Sequence, residues 1–103
     1  MSDPHVLALV GSLREHSYTR LATAHALRGA ETAGATTELL DLREYDLPPL
    51  NPDADEQGDS ATVIDRVNAA DAVILGSPMY HGSYSGVLKN ALDYCGFDEF
   101  EGK

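Results

Sequence analysis

The sequence predicts an α/β fold in which a parallel β-sheet is covered by helices on both faces, and three observations predict it. Short apolar runs alternate with stretches of helical spacing, giving the order βαβαβα along 103 residues. The runs VLALV (Val6–Val10) and AVIL (Ala72–Leu75) are continuous rather than alternating, as expected of strands buried on both faces. Both runs discharge into small and polar residues, Gly11-Ser12 in one case and Gly76-Ser77-Pro78 in the other. Right-handed crossovers place helices on opposite faces only where the strand order reverses, and ligands bind beyond the strand tips at that reversal.

The first strand ends at Gly11, where a residue without Cβ eases a sharp turn. Ser17–Ala33 reads as one helix, with Leu21, Ala24, Leu27 and Arg28 recurring at three- and four-residue steps and Gly34 as the stop. TTELLDL (Thr36–Leu42) is a second strand, completing a strand–helix–strand unit of crossover length. Arg43–Ser60 is irregular, its prolines forbidding an interior helix. A loop this long in a compact domain is functional or disordered. Tyr45, Leu47 and Leu50 are too apolar for a solvated linker and are expected to pack on a neighbouring surface, a second subunit being one option. Asp59 or Ser60 caps a helix over Ala61–Ala70 with Val63, Ile64 and Val67 on its inner face. After the third strand, Met79–Ser85 forms a loop. Val87, Leu88, Ala91 and Leu92 then describe a helix from Gly86 to Tyr94 or Cys95. The tail Phe97–Lys103 is polar with two aromatics.

Seventeen acidic against seven basic residues give a net charge of −10, dispersed along the chain. That opposes nucleic-acid binding, which needs a basic footprint. The charge fits a solvated acidic surface, or a salt-rich habitat in which self-repulsion is screened. The sequence holds no apolar run of the roughly 20 residues a membrane span needs, and MSDPH lacks the pattern of a secretory signal. The single cysteine, Cys95, cannot pair within the chain, which suits a reducing compartment. Together these predict a cytoplasmic protein with neither a nucleic-acid nor a membrane partner. No metal site is expected, since His5, His16 and His25 show no ligand spacing.

Candidate binding chemistry sits in the two loops that follow the first and third strands. Ser12, Arg14 and Ser17 bring two hydroxyls and a guanidinium to a helix start whose first N–H groups lack intrahelical partners, a phosphate site. An ordinary turn with N-capping serines is the competing reading. The second loop sets Tyr80 and Tyr84 among glycines, which suits a flat ligand, a solvent loop being the alternative. If the two strand tips adjoin, phosphate and planar group share one continuous site. Lys89 and Asn90 are expected to support the loop or face solvent, and Asp93 and Tyr94 to be structural.

Three stretches then carry a resemblance: Gly11-Ser12-Leu13-Arg14 with Ser17; Asp46-Leu47-Pro48-Pro49-Leu50-Asn51-Pro52; and Ser77–Ser83 continued by Gly86–Ala91 and Asp93-Tyr94. In this order and at these distances the chain resembles the NADPH-dependent FMN reductase family, a flavodoxin-like group, over nearly all its length. The resemblance implies a three-layer αβα domain over residues 1–103, with strand order 2-1-3, standing before the family's fourth strand and the glycine-rich loop beyond it. It implies that Ser12, Arg14, Ser17 and Thr19 hold the FMN phosphate. It further implies that Pro78, Met79, Tyr80 and His81 lie along the isoalloxazine ring. Two positions depart from the family pattern, which often has Glu at 79 and Asn at 81. A soft thioether still suits a flavin face, and His81 sets a titratable group beside the ring, implying pH-dependent reduction. The implied activity passes hydride from NADPH or NADH through FMN to a small-molecule acceptor, with no side chain acting as nucleophile or base. The alternatives are a non-catalytic FMN-binding electron carrier and an inactive N-terminal portion. The third strand would be an edge with an apolar flank, so a homo-oligomer is expected, with pairing to further polypeptide as the other option.

Overall fold

The computed structural model describes residues 3–54, 57–96 and 98–103. Strands β1 (His5–Val10), β2 (Thr36–Asp41) and β3 (Ala72–Gly76) form a parallel sheet in the order β2-β1-β3. The reversal predicted from the sequence therefore falls between β1 and β3. Helix α1 (Tyr18–Thr32) crosses all three strands on one face, and α2 (Ser60–Ala69) and α3 (Gly86–Tyr94) cover the other.

Being central, β1 is the most enclosed element, with Leu7 to Val10 fully buried. Leu7 and Leu9 point into a core shared with Leu40, Val63, Val67, Leu88 and Ala91. The alternate residues face α1, where small groups let the helix approach closely. Gly76 pairs with Val10 in register, and a Cβ there would lie 2.3 Å from the Thr23 hydroxyl oxygen.

Helix α1 is one residue shorter at each end than its sequence pattern, because Ser17 and Ala33 are its caps. Its buried residues are Thr23 and Leu27, a four-residue step. Leu21, one of the residues whose spacing marks the helix in the sequence, is 62% exposed. Two positions from Thr23 is a rotation of about 200° around a helix axis, so once the Thr23–Leu27 row is chosen Leu21 must face out. The threonine wins that row because only a short side chain fits against Gly76.

Strand β2 stops at Asp41, and Leu42–Glu44 form a single 3-10 turn at the mouth of the segment expected to be wholly irregular. The Asp41 carboxylate starts that turn by accepting from the Arg43 N–H at 3.1 Å. At the far end of the segment Asp59 occupies the N-cap of α2 but gives the helix no side-chain bond. Its carboxylate instead accepts the Asp46 N–H at 2.7 Å, while its own N–H donates to the Asp46 carbonyl at 2.7 Å. This reciprocal clasp closes the loop's base. Tyr45 and Leu47 pack against the core, whereas Leu50 stays exposed.

Of the expected inner face of α2, Val63 and Val67 are buried and Ile64 half-buried. Helix α3 begins with Ser85 capping the Leu88 N–H at 3.1 Å. In the tail, Phe100 packs on the core and Lys103 Nζ donates to the Val67 and Asn68 carbonyls at the end of α2. Phe97, the tail's other aromatic, lies outside the described residues. Among the described residues no helix is long and apolar enough to cross a membrane.

Candidate functional site

Adjacent strand tips bring the two candidate loops together. The Gly11 N–H donates to the Gly76 carbonyl at 2.8 Å, carrying the β1–β3 ladder one step beyond the strands. Ser85 then ties the loops: its hydroxyl donates to the Gly11 carbonyl at 2.7 Å and accepts from the Leu88 N–H. Ser77 braces the same junction, its hydroxyl accepting from the Ser85 N–H and donating to the Pro78 carbonyl, each at 2.8 Å. Gly11 is required by this packing rather than by a sharp turn. A Cβ on it would sit 2.7 Å from Leu88 Cβ and 2.9 Å from Ser85 Oγ, and its φ is not among the positive ones.

In the first loop Ser12 and Ser17 are enclosed, at 1% and 4% exposure. The Ser12 hydroxyl oxygen accepts from the Arg14 N–H at 3.4 Å, and that of Ser17 accepts from the Arg20 N–H at 3.2 Å. Among the described residues neither hydroxyl donates a hydrogen bond, so both protons remain available. Arg14 is exposed, with no hydrogen bond or ion pair from its guanidinium among the described residues, and it lines a hollow of about 400 Å³ with Glu15–Tyr18, Arg20 and Leu21. Thr19 stands apart from these three. It lies on α1 beside the tip of β3, in a groove of about 500 Å³ that also includes Ile74, Leu75 and Ser77.

The residue that sequence reasoning missed is Arg20. Its guanidinium binds Asp41 through Nε at 2.6 Å and Nη2 at 3.3 Å. It also donates to the backbone carbonyls of Ser12 at 3.2 Å, Arg14 at 3.2 Å and Glu15 at 3.3 Å. Three of the loop's carbonyls are thus taken up. By contrast, no hydrogen bond among the described residues uses the N–H groups of Leu13, Glu15, His16, Ser17, Tyr18 or Thr19. Donors without acceptors, beside a free guanidinium, favour an anion. The signal in the sequence was Asp41, a carboxylate directly after the apolar pair Leu39-Leu40 at the strand's end.

The second loop contains a two-residue hairpin. Tyr80 and Ser83 exchange both backbone hydrogen bonds at 3.0 and 3.1 Å, and the residues between them, His81 (φ 52°) and Gly82 (φ 77°), are left-handed. Positive φ at both centres marks a type I′ turn, in which Asn-Gly is the preferred pair. Histidine at 81 is one of the few other residues that enter this region readily. Pro78 and Met79 line a hollow of about 410 Å³ with Ser77, Gly82, Ser83 and Tyr84; Tyr80 and His81 are exposed on the hairpin and are not part of that lining. The α1–β3 groove shares Tyr18 with the Arg14 hollow and Ser77 with the Met79 hollow.

The proline-rich stretch after β2 is held from α3. Asn90 donates to the Leu47 and Pro48 carbonyls at 3.0 and 3.1 Å and accepts from the Leu50 N–H at 3.0 Å. The Tyr94 hydroxyl also reaches the Pro48 carbonyl and the Gln57 side chain. Lys89 faces solvent instead, paired with Asp93, whose hydrogen bond holds the ammonium pKa above its ordinary value. Among the described residues no cluster of His, Cys, Asp or Glu could hold a metal ion.

The sheet order and the two fused loops at the reversal define a flavodoxin-like α/β protein with an anion-receptive first loop. The profile of the NADPH-dependent FMN reductase family matches residues 4–103, and the chain belongs to that family. It is 37% identical over 103 residues to an FMN-dependent NADPH-azoreductase of Staphylococcus aureus, a match covering 94% of this chain and 55% of that protein. Among solved structures, an NADH:FMN oxidoreductase in its apo form superposes with a TM-score of 0.79 at 23% identity, over 97% of this chain and 54% of the other. The NAD(P)H:(acceptor) oxidoreductase flavoenzyme of Paracoccus denitrificans gives a TM-score of 0.75 at 33% identity, over 88% and 50%. The chain thus spans about half the length of the relatives it matches.

Proposed function

We propose that this protein binds FMN beyond the tips of β1 and β3 and serves an NAD(P)H-dependent oxidoreductase acting on a small-molecule acceptor. Family membership supports the cofactor class, and one observation supports the place: the first loop has three carbonyls bound by Arg20 and keeps its N–H groups unused among the described residues. The Arg14 guanidinium and those N–H groups would grip the phosphate, with the Ser12 and Ser17 hydroxyl protons beside them, while the Thr19 side chain, in the α1–β3 groove, would stand next to that grip rather than in it. Pro78, Met79 and Tyr80 would offer an apolar surface to the ring, with the His81 imidazole beside it on the hairpin. When bound, the cofactor supplies two-electron chemistry between a reduced nicotinamide and the acceptor. The azoreductase relative favours an organic acceptor. A cytoplasmic homo-oligomer, with Leu50 and the β3 flank as candidate contacts, fits the single half-buried cysteine and the exposed apolar residues.

Titration of the protein into FMN, followed by flavin fluorescence, tests the reading. Quenching is expected, with Arg14→Ala weakening affinity by roughly 10–100-fold, as for loss of a charged hydrogen-bonding group. No quenching would overturn it. Binding without oxidation of NADPH or NADH would favour the electron-carrier alternative.

A further inference from the structure

The Arg20–Asp41 pair is a larger investment than a helix surface needs. Arg20 sits in the first turn of α1, and Asp41 closes β2, so the pair joins two elements across the root of the first loop. Asp41 is buried and its other bond, to the Arg43 N–H, fixes its own carboxylate. The guanidinium is therefore aimed from a fixed point, and its remaining N–H groups fall on three carbonyls of Ser12, Arg14 and Glu15.

A short loop that binds an anion must solve a geometric problem: each peptide carries a donor and an acceptor, and an acceptor facing the anion repels it. A planar fork with five N–H donors can gather several carbonyls at once, which a lysine ammonium on its flexible stem cannot do in the same fixed geometry. Since Asp41 neutralises Arg20, the pair adds little net charge to the loop. What it supplies is orientation.

We propose that Arg20, fixed by Asp41, is a positioning residue that turns the first loop's carbonyls away from the phosphate site and so sets the preference for a phosphorylated flavin. This rests on the reading that the loop receives the FMN phosphate. Arg20 shares the lining of the Arg14 hollow, but the role assigned to it is exerted through the backbone of residues 12–15.

The test compares FMN with riboflavin, which has the ring but no phosphate, using fluorescence titration of the parent protein and of Arg20→Gln, Arg20→Lys and Asp41→Asn. The parent binds FMN more tightly than riboflavin. In Arg20→Gln the FMN affinity falls by roughly 10–100-fold, as expected when charged hydrogen bonds are lost, while riboflavin affinity stays within about threefold, so the preference collapses. Arg20→Lys keeps the charge and loses the fork, and it falls between the two. Equal losses for both flavins would make Arg20 a structural residue only and overturn the proposal, as would an unchanged preference in Arg20→Gln. A parent that fails to bind FMN, or binds both flavins alike, would instead overturn the phosphate reading beneath it. If Arg20→Gln does not fold by circular dichroism, the same ratio in Arg20→Lys and Asp41→Asn decides.

Discussion

At Gly11 the amino acid is chosen by Ser85, 74 positions further on, and by Leu88. A glycine at a strand end reads from sequence as a turn residue, and only the docked helix shows that the missing Cβ makes room. His81 is the reverse case. Its neighbourhood in sequence suggests a functional imidazole, yet its backbone sits where a hairpin needs a left-handed residue, which is reason enough for the asparagine often found there. Cys95 is a residue whose chemistry follows from burial. Its thiol pKa is pushed up to about 11, first by burial and then by the nearby Glu99 carboxylate. Near pH 8 a two-unit rise leaves about 100-fold less thiolate, so iodoacetamide is expected to label native Cys95 about 100-fold more slowly than the urea-unfolded chain. Equal rates would refute this. Because the folded pKa is the higher one, the unfolded chain ionises first as pH rises. This contribution to stability is intact below about pH 9 and is lost progressively towards pH 11.

Elements whose contacts are local were legible in the sequence, and α3, read from Gly86 to Tyr94 or Cys95, ends at Tyr94 with Cys95 as its cap. The loop between β2 and α2 was legible only as a loop. Its apolar anchors Tyr45 and Leu47 could be picked out, but the residues that hold it, Asn90 and Tyr94, lie more than 40 positions away in sequence. Arg20 was invisible for the same reason: a helical arginine reads as surface until the neighbouring strand places Asp41 beneath it. The loop's dependence on α3 can be measured. Asn90→Ala removes one acceptor and two donor bonds at a half-buried position, and it should cost about 1–3 kcal/mol in urea unfolding. It should also speed proteolysis between residues 47 and 57 before it affects the sheet. A loss below about 0.5 kcal/mol, within the range of ordinary surface substitutions, would show that the clasp between Asp46 and Asp59 holds the loop alone.

Across the whole molecule two forces oppose each other. Seventeen carboxylates stand against seven cations. Among the described residues only Glu38, Asp41 and Asp93 lie within ion-pair distance of a basic group, with Glu38 meeting both Arg66 and His5. The remaining repulsion strains the compact state and keeps separate molecules apart. At the same time, among the described residues β3 is an edge strand with Leu75 49% exposed, a surface that favours pairing with another strand. Raising salt from about 0.1 to 1 M shortens the screening length from about 10 to 3 Å. Each kcal/mol of repulsion thereby removed should lift the melting temperature of a domain this size by about 4–8 °C. A rise on the order of 5 °C is expected, together with growing light scattering as the edges meet. Leu75→Lys separates the two contributions, since a lysine on the edge suppresses pairing while leaving most of the intramolecular repulsion in place. Its scattering should stay low at high salt and its melting temperature should still climb. If the climb disappears with the scattering, the gain belongs to association, and the dispersed acidic charge costs the folded chain nothing.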